Sequence, residues 1–412
     1  MAKTKKHKPN PRKKRKKGSD CLALSCLEAW SRCDGAVLVD LHCHTTCSDG
    51  LLSPPALVER AHKRGVKVLA LTDHDTMAGV PAAIAAARSY GMRIIPGVEI
   101  SCRYLSSSGE MGELVHVLAY YGCCGPAQGL EERLAHIREG RYARARSMVD
   151  KLRDLKKPVR WESVLEFAGD GVAPGRPHVA RALVQAGHVS SVGEAFHKYL
   201  HDGGPAYSNG SELPAGEAVE LIRETGGIAV LAHPWSLKNP LDVVKQLKDA
   251  GLHGMEVYKS SGRDKAFADL ADAYHLVKLG GSDFHGTGAA DETDLGKVEV
   301  PAKALHEFLR AGDPVWLDSV MSILSSFAAG TITAQSPDCD RKEAKSNTNT
   351  LDLSGDAELR VVSNGTALKL SSWLSDEEKQ RVVAAAAEAH GLDARITDGR
   401  GEVLVTKITQ GD

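Results

Sequence analysis

The sequence predicts an α/β protein, a parallel sheet or barrel interrupted by a helical insertion and followed by a small C-terminal ββαββ module. Three observations predict it. Seven short apolar segments alternate with stretches of helical periodicity between residues 36 and 290. The alternation stops over residues 126–215, where apolar residues recur only at helical spacing. A polar linker over 329–355 then separates a last segment that has its own strand and turn signals.

The elements follow in order. Residues 1–18 hold ten Lys and Arg and no acid, a low-complexity arm that cannot form a core. Residues 19–35 fit one short helix with Leu24, Leu27 and Trp30 on a stripe. The main unit, 36–328, opens with strands over Ala36–His44, Lys67–Asp75, Arg93–Cys102 and Glu113–Gly122. Helices are expected over Pro54–Arg64, with Ser53 as its cap, and over Val80–Tyr90. In the insertion, Leu134, Ile137, Met148, Val149, Leu152 and Leu155 share a helical stripe. Shorter helices are expected over Trp161–Phe167 and His178–Ala186, the whole block sitting over the mouth of the barrel. Alternation resumes with a helix over Gly216–Thr225 and strands over Gly227–His233, Gly254–Lys259 and Lys278–Asp283, with helices near 241–250 and 264–275. In the module at 356–408, strands flank Ser363-Asn364-Gly365 and Asp398-Gly399-Arg400-Gly401, with a helix over Asp376–His390 between the pairs.

Composition narrows the function classes. Hydrophobic residues make up 42% of the 412, ample for a large core. No apolar run approaches the roughly 20 residues of a membrane span, and no apolar segment of a secretory signal follows the basic start. The nine cysteines form no C-x-x-C pair, as expected of reduced thiols in the cytosol or nucleus. Beyond the arm, 42 bases face 53 acids, so the body is mildly acidic. That is the balance of an enzyme with an address or tether rather than of a protein that coats nucleic acid. Lys5-Lys6 and Arg12 to Lys17 resemble a nuclear import signal; an RNA-contacting arm and a plain solvated tail are the alternatives. The expected location is nuclear or cytoplasmic, with no membrane and no obligate protein partner.

The chemistry is carried by the strand ends. The first strand ends in His42-Cys43-His44, with Asp49 in the loop behind it. Strand side chains alternate, so His42 and His44 share a face and Cys43 points away. The second strand ends in Asp73-His74-Asp75, the third in Gly97-Val98-Glu99, the fifth in Ala232-His233-Pro234 and the seventh in Ser282-Asp283-Phe284-His285; the fourth carries His116. A lone strand histidine is more often a satisfied core residue than a ligand, and a lone Glu99 or Asp283 more often a cap or ion pair. Six strand ends of seven carrying such residues is different, because buried charges without partners are costly. Catalytic residues of α/β barrels gather at these ends. Nine imidazole and carboxylate ligands, with no thiolate, suit two or three divalent ions, Mn first and Zn or Fe next. Such a cluster serves metal-assisted hydrolysis of a phosphoester, or of an amide. Asp73 and Asp75 face away from His74 and are expected to be structural.

These motifs, His42-x-His44, Ser48-Asp49-Gly50, Thr72-Asp73-His74, Gly97-Val98-Glu99, His116, Ala232-His233-Pro234 and Gly281-Ser282-Asp283-x-His285, resemble the PHP (polymerase and histidinol phosphatase) family over about residues 37–290. The resemblance implies a distorted seven-stranded (β/α) barrel with a trinuclear centre. His42, His44 and Asp283 would hold one ion, which Glu99 would bridge to a second held by His116 and His233. Asp49, His74 and His285 would hold the third, a bridging hydroxide would be the nucleophile, and His233 and Asp283 would count as catalytic as well as ligating.

The insertion sharpens the expectation. Arg141 and Arg144 lie three apart on one helix face, and Gly175-Arg176-Pro177-His178 adds a cation and an imidazole. The pattern resembles the branch that removes the 3'-phosphate of 3',5'-nucleoside bisphosphates and degrades short 5'-phosphorylated RNA stepwise. Arg141, Arg144, Arg176 and His178 would then bind the phosphate that is not cleaved. Solvated or ion-paired arginines are the plainer alternative. Other readings are a histidinol-phosphatase-like enzyme, an amide or lactone hydrolase, and a non-enzymatic scaffold associated with nucleic acid.

Overall fold

A computed structural model describes residues 38–328, apart from 107–108, 123–125, 127–128, 211 and 290–291, together with four strands between 359 and 407. The basic arm, the helix expected over 19–35, the linker and the helix expected over Asp376–His390 lie outside the described residues.

The first half alternates as expected. Strand β1 (Leu38–Asp40) is followed by α1 (Pro54–Lys63), β2 (Val66–Leu71), α2 (Val80–Ser89), β3 (Arg93–Leu105) and β4 (Met111–Tyr121). Helix α1 starts on Pro54-Pro55, whose fixed φ suits a first turn. Ser53 holds the cap position, but its side chain makes no capping hydrogen bond. In α2, Val80, Ala83, Ile84 and Ala87 form one apolar face, which packs with Leu57, Val58 and Ala61 of α1 over Leu69 and Leu71.

The all-parallel expectation fails at β4. Strands β1, β2 and β3 run parallel, but β4 is antiparallel to β3 and to β6 (Gly227–Leu231). The cause is connection length. Only residues 106–110 join β3 to β4, and a parallel neighbour needs a crossover of about a dozen residues or more. The reversal moves His116 to the useful end: it pairs with Ser101, two residues past Glu99.

The insertion contains α3 (Leu130–Asp154), α4 (Trp161–Ala168), α5 (Arg176–Gln185) and α6 (Val192–Ala195), the last running into one π turn, Phe196–Leu200. Helix α3 serves two cores. Leu130, Leu134 and Ile137 pack in the core around the sheet, whereas Met148, Val149 and Leu152 build a separate core with Val164, Val179 and Leu183. Leu155, expected on that stripe, is the C-terminal cap residue and is exposed.

The second half adds β5 (Leu213–Pro214), α7 (Ala215–Glu224), β6, α8 (Pro240–Asp249), β7 (Gly254–Lys259), β8 (Gly262–Arg263), α9 (Lys265–Ala273), β9 (Val277–Gly280) and the long α10 (Ala302–Ala328). Strands β6, β7 and β9 are mutually parallel through β7. The first and last strands approach each other beyond their ends: His44 N donates to Phe284 O and Asp283 N donates to His42 O, both at 2.9 Å. Asp40 fastens the same seam, accepting from the amides of Ser282 at 2.9 Å and Gly296 at 2.8 Å. Gly281 makes this approach feasible, since a Cβ there would lie 2.3 Å from the His42 amide nitrogen. Helix α10 was not legible in the sequence; its Phe308 packs edge-on against Tyr120, with ring centroids 5.1 Å apart.

After residue 358, β10 (Leu359–Ser363) pairs antiparallel with β11 (Thr366–Leu370), and β12 (Leu392–Thr397) with β13 (Glu402–Lys407). Strands β10 and β13 run parallel, giving the order β11-β10-β13-β12. No described helix is long and apolar enough to cross a membrane.

Candidate metal centre

The nine expected ligands converge at one end of the sheet. Among the described residues, three overlapping groups have donor atoms within 4.8 Å of one another: His44, Asp49, His74 and His285; His42, His44, Glu99 and Asp283; and His74, Glu99 and His116. His233 joins the third, with its Nε2 3.0 Å from Glu99 Oε1 and 3.3 Å from His116 Nδ1. Glu99 is the hub. Its Oε2 lies 3.4 Å from His42 Nε2, 3.2 Å from His44 Nε2 and 3.1 Å from His74 Nδ1. His44 and His74 each belong to two groups, a sharing that the sequence did not suggest.

Local structure explains the convergence. Cys43 turns its thiol to Ala70 O at 3.1 Å and packs with Leu57 and Leu69, so its neighbours must face the opposite side. Asp73 is structural as expected: it accepts from Thr45 N, Thr45 Oγ1 and Ser48 Oγ, each at 2.7 Å. It thereby shapes the loop that carries Asp49. Asp283 and His233 sit in the left-handed backbone region, at φ 53° and 27°. Such conformations cost of order 1–3 kcal/mol and persist only where surrounding bonds over-determine them.

The electrostatics are those of a cation site. Desolvation opposes charge on His42, His44, Asp49, His74, Glu99, His233, Asp283 and His285, and at all of these but His74 oppositely charged neighbours or hydrogen bonds outweigh it. Burial pulls His42 down, but Asp283, Glu256 and Glu99 together hold it well above the ordinary histidine range. His285 also overcomes its burial, and Asp49 and Asp283 lift it to about 10. Burial would raise Asp49, Glu99 and Asp283, but the surrounding imidazoles hold all three below the usual carboxylate range. Burial wins at His74, which is pushed well below the histidine range. Asp283, 44% exposed, opens the cluster to solvent.

The residues fit divalent ions. Nδ1 of His44 and of His74 is buried without a hydrogen bond, although Asp49 Oδ1 stands 3.8 Å from the first and Glu99 Oε2 3.1 Å from the second. Buried polar atoms are normally satisfied, and lone pairs aimed at a carboxylate need a cation between them. The donors are oxygen and nitrogen only, the set that suits Mn, Zn or Fe.

Two contributors escaped the sequence. Glu256, 2% exposed in β7, stands with Oε1 3.2 Å from His42 Nδ1, and its Oε2 accepts the His233 amide at 2.7 Å. The sixth strand had offered no candidate; a lone Glu inside the apolar run Gly254–Lys259 was the available signal. Asp40 at the seam is the other.

The insertion arginines do not form one open cationic patch. Arg141 is buried; its Nη1 donates to Asp75 Oδ2 at 2.7 Å and to Ser101 Oγ at 3.1 Å, leaving Nε unpartnered. Arg144 forms a buried ion pair with Glu212. Arg176, 19% exposed, pairs with Asp202 at 2.5 Å. His178 Nδ1 accepts the Gly175 amide at 2.8 Å, and its pKa is pushed down to about 4, chiefly by burial. It therefore caps α5 as a neutral ring. Arg181, unremarked in the sequence, reaches the metal loop, donating from Nη2 to Asp49 O at 2.9 Å.

Comparison with known proteins bears on all of this. The PHP domain model matches residues 40–157. A 5'-3' exoribonuclease, Rnm, of Salmonella typhimurium is 39% identical over 259 residues, 61% of this chain and 86% of that protein. A 3',5'-nucleoside bisphosphate phosphatase of Chromobacterium violaceum is 34% identical over 268 residues, 63% of this chain and 91% of that protein. Among solved structures, an amidohydrolase from Chromobacterium violaceum with bound sulfate and no metal aligns with a TM-score of 0.59 at 32% identity, covering 67% of this chain and 97% of that one.

Proposed function

The chain belongs to the PHP (polymerase and histidinol phosphatase) family of metal-dependent phosphoester hydrolases, and on that premise we propose that it acts on nucleotides, removing the 3'-phosphate of 3',5'-nucleoside bisphosphates and shortening 5'-phosphorylated RNA from its 5' end. The observation that carries this reading is the overlap of three donor groups through His44, His74 and Glu99, under an insertion that brings arginines to the same mouth. We read the sheet as a distorted seven-stranded barrel closed at the seam of Asp40, His42 and Asp283, and the last segment as a ββαββ module.

His42, His44, Glu99 and Asp283 would hold one ion, Glu99, His116 and His233 a second, and Asp49, His74 and His285 a third. Bound divalent ions lower the pKa of water and offset charge on a phosphoryl group. The chain's own residues do the rest. Glu99, fixed between five imidazoles, keeps the ion positions at one spacing. Asp283, at the solvent edge, faces the scissile phosphate. Arg141, buried against Asp75 and Ser101, supplies fixed positive charge behind the ion positions, and Arg176 and Arg181 would offer guanidinium groups to a phosphate. Fixed guanidinium groups of this kind bind the phosphate that is not cleaved. His178 is a neutral ring next to them, and Arg144 serves by holding Glu212. The arm at 1–18 would be an import signal.

The test is a substrate panel carrying a free 5'-phosphate, a free 3'-phosphate or both, with Mn added, scored for phosphate release and for chain shortening. Release from adenosine 3',5'-bisphosphate and stepwise 5'-to-3' digestion are expected. Protein stripped with chelator, reloaded with Mn and inert on both substrates would refute the assignment. Turnover of histidinol phosphate or a simple amide instead would favour the other hydrolase readings.

A further inference from the structure

We propose that Glu256 is a positioning residue shared by two ion positions, setting the ring of His42 with one carboxylate oxygen and the backbone of His233 with the other. The inference rests on reading the nine side chains as metal ligands. Glu256 itself belongs to none of the three donor groups, and both its oxygens are already engaged.

The first engagement fixes a tautomer. A carboxylate only accepts, so His42 Nδ1, 3.2 Å from Glu256 Oε1, must carry the hydrogen. In the neutral ring that an ion would bind, the lone pair is then left on Nε2, which faces Asp283 Oδ1 at 3.3 Å, Glu99 Oε2 at 3.4 Å and His44 Nε2 at 3.2 Å. The opposite tautomer would aim a hydrogen at the ion position and face Glu256 with a lone pair.

The second engagement fixes a backbone. His233 has φ 27° and ψ 59° directly before Pro234, where the proline ring disfavours helical conformations and drives the residue to extended ones. Its amide donates to Glu256 Oε2 at 2.7 Å. That bond turns the side chain inward, placing Nε2 3.0 Å from Glu99 Oε1 and 3.3 Å from His116 Nδ1. The His233 ring has a separate support, Ser236 Oγ at 3.1 Å from Nδ1. Glu256 thus steers His42 at one position and His233 at another, from a strand that supplies no ligand. Loss of its charge should weaken both positions together, whereas loss of Ser236 should weaken one.

Glu256→Gln separates these roles with little change in shape. Glutamine has one acceptor oxygen and one amide nitrogen, so it can satisfy one of the two N–H donors and opposes the other. Titration of full-length, chelator-stripped protein with Zn alone should show affinity at two positions reduced about 10–100-fold, the usual effect of removing such a partner. Ser236→Ala should reduce it at one. Nitrogen NMR of the Zn-loaded wild type should show His42 bound through Nε2 with a hydrogen on Nδ1, and that signal should weaken or split in the variant while circular dichroism is unchanged. A variant with wild-type Zn affinity, or with one position affected, overturns the inference but leaves the ligand reading standing. A wild type that binds no Zn or Mn overturns both. Should the variant fail to fold, the wild-type spectrum still decides: His42 coordinated through Nδ1 refutes the role.

Discussion

Arg141 Nη1 and Asp75 Oδ2 meet at 2.7 Å, with both side chains almost wholly buried. The pair joins the middle of α3, between its two apolar segments, to the loop after β2. Breaking a buried pair from one side strands the other charge and costs about 3–5 kcal/mol. Arg141→Ala should therefore lower stability by that order in chemical denaturation, as well as weakening substrate binding.

Arg176 offers the contrast. Its partner Asp202 is 39% exposed, and pairs of that kind contribute about 0–1 kcal/mol. Arg176→Ala should lower the denaturation midpoint less than Arg141→Ala does, the loss coming mainly from its packing near Phe196 and Tyr207. It should raise KM for a doubly phosphorylated nucleotide and barely alter KM for a simple phosphomonoester. An equal change on both substrates would remove the second-phosphate role.

His44→Ala removes a ring shared by two donor groups. Metal content by elemental analysis and phosphate release should both fall to a small fraction of wild type, with circular dichroism retained. Full activity at full metal content would refute the assignment.

Gly281→Ala tests the seam. The added methyl meets His42 backbone atoms, which cannot yield as a flexible side chain would. Destabilisation of about 1–3 kcal/mol or more is expected from overpacking. Metal content should fall with it, because the same displacement moves His42.

Chelator-stripped protein should lose stability as pH rises from about 6.5 towards 10. Histidines held above their unfolded value contribute stability that is complete below that value, near 6.5. It is lost as pH rises through the folded value, about 10 for His285. His74, held down by burial, acts in the opposite sense and opposes folding below its unfolded value. The depressed carboxylates Asp49 and Glu99 contribute stability above their unfolded values, lost in acid. Zn-loaded protein should lose the slope between 6.5 and 10, since ligating imidazoles are already neutral, and Zn affinity should climb with pH as protons stop competing. Denaturation midpoints measured across that range check both statements.

By itself the sequence determined the nine candidate ligand side chains, their places at or just beyond the strand ends and most of the helices between them. These are local properties: in extended chain His42 and His44 share one side and Cys43 takes the other, an alternation that continues past the end of β1. Tertiary structure decided how those pieces meet. The direction of β4 followed from a connection too short for a crossover, and it brought His116 to the mouth. The carboxylates opposite Arg141 and Arg144, Asp75 and Glu212, lie 66 and 68 residues away along the chain. Glu256 reaches His42 across 214 residues. Burial turns such meetings into obligatory partnerships, because a charge removed from water must find its counterpart wherever the fold has put it.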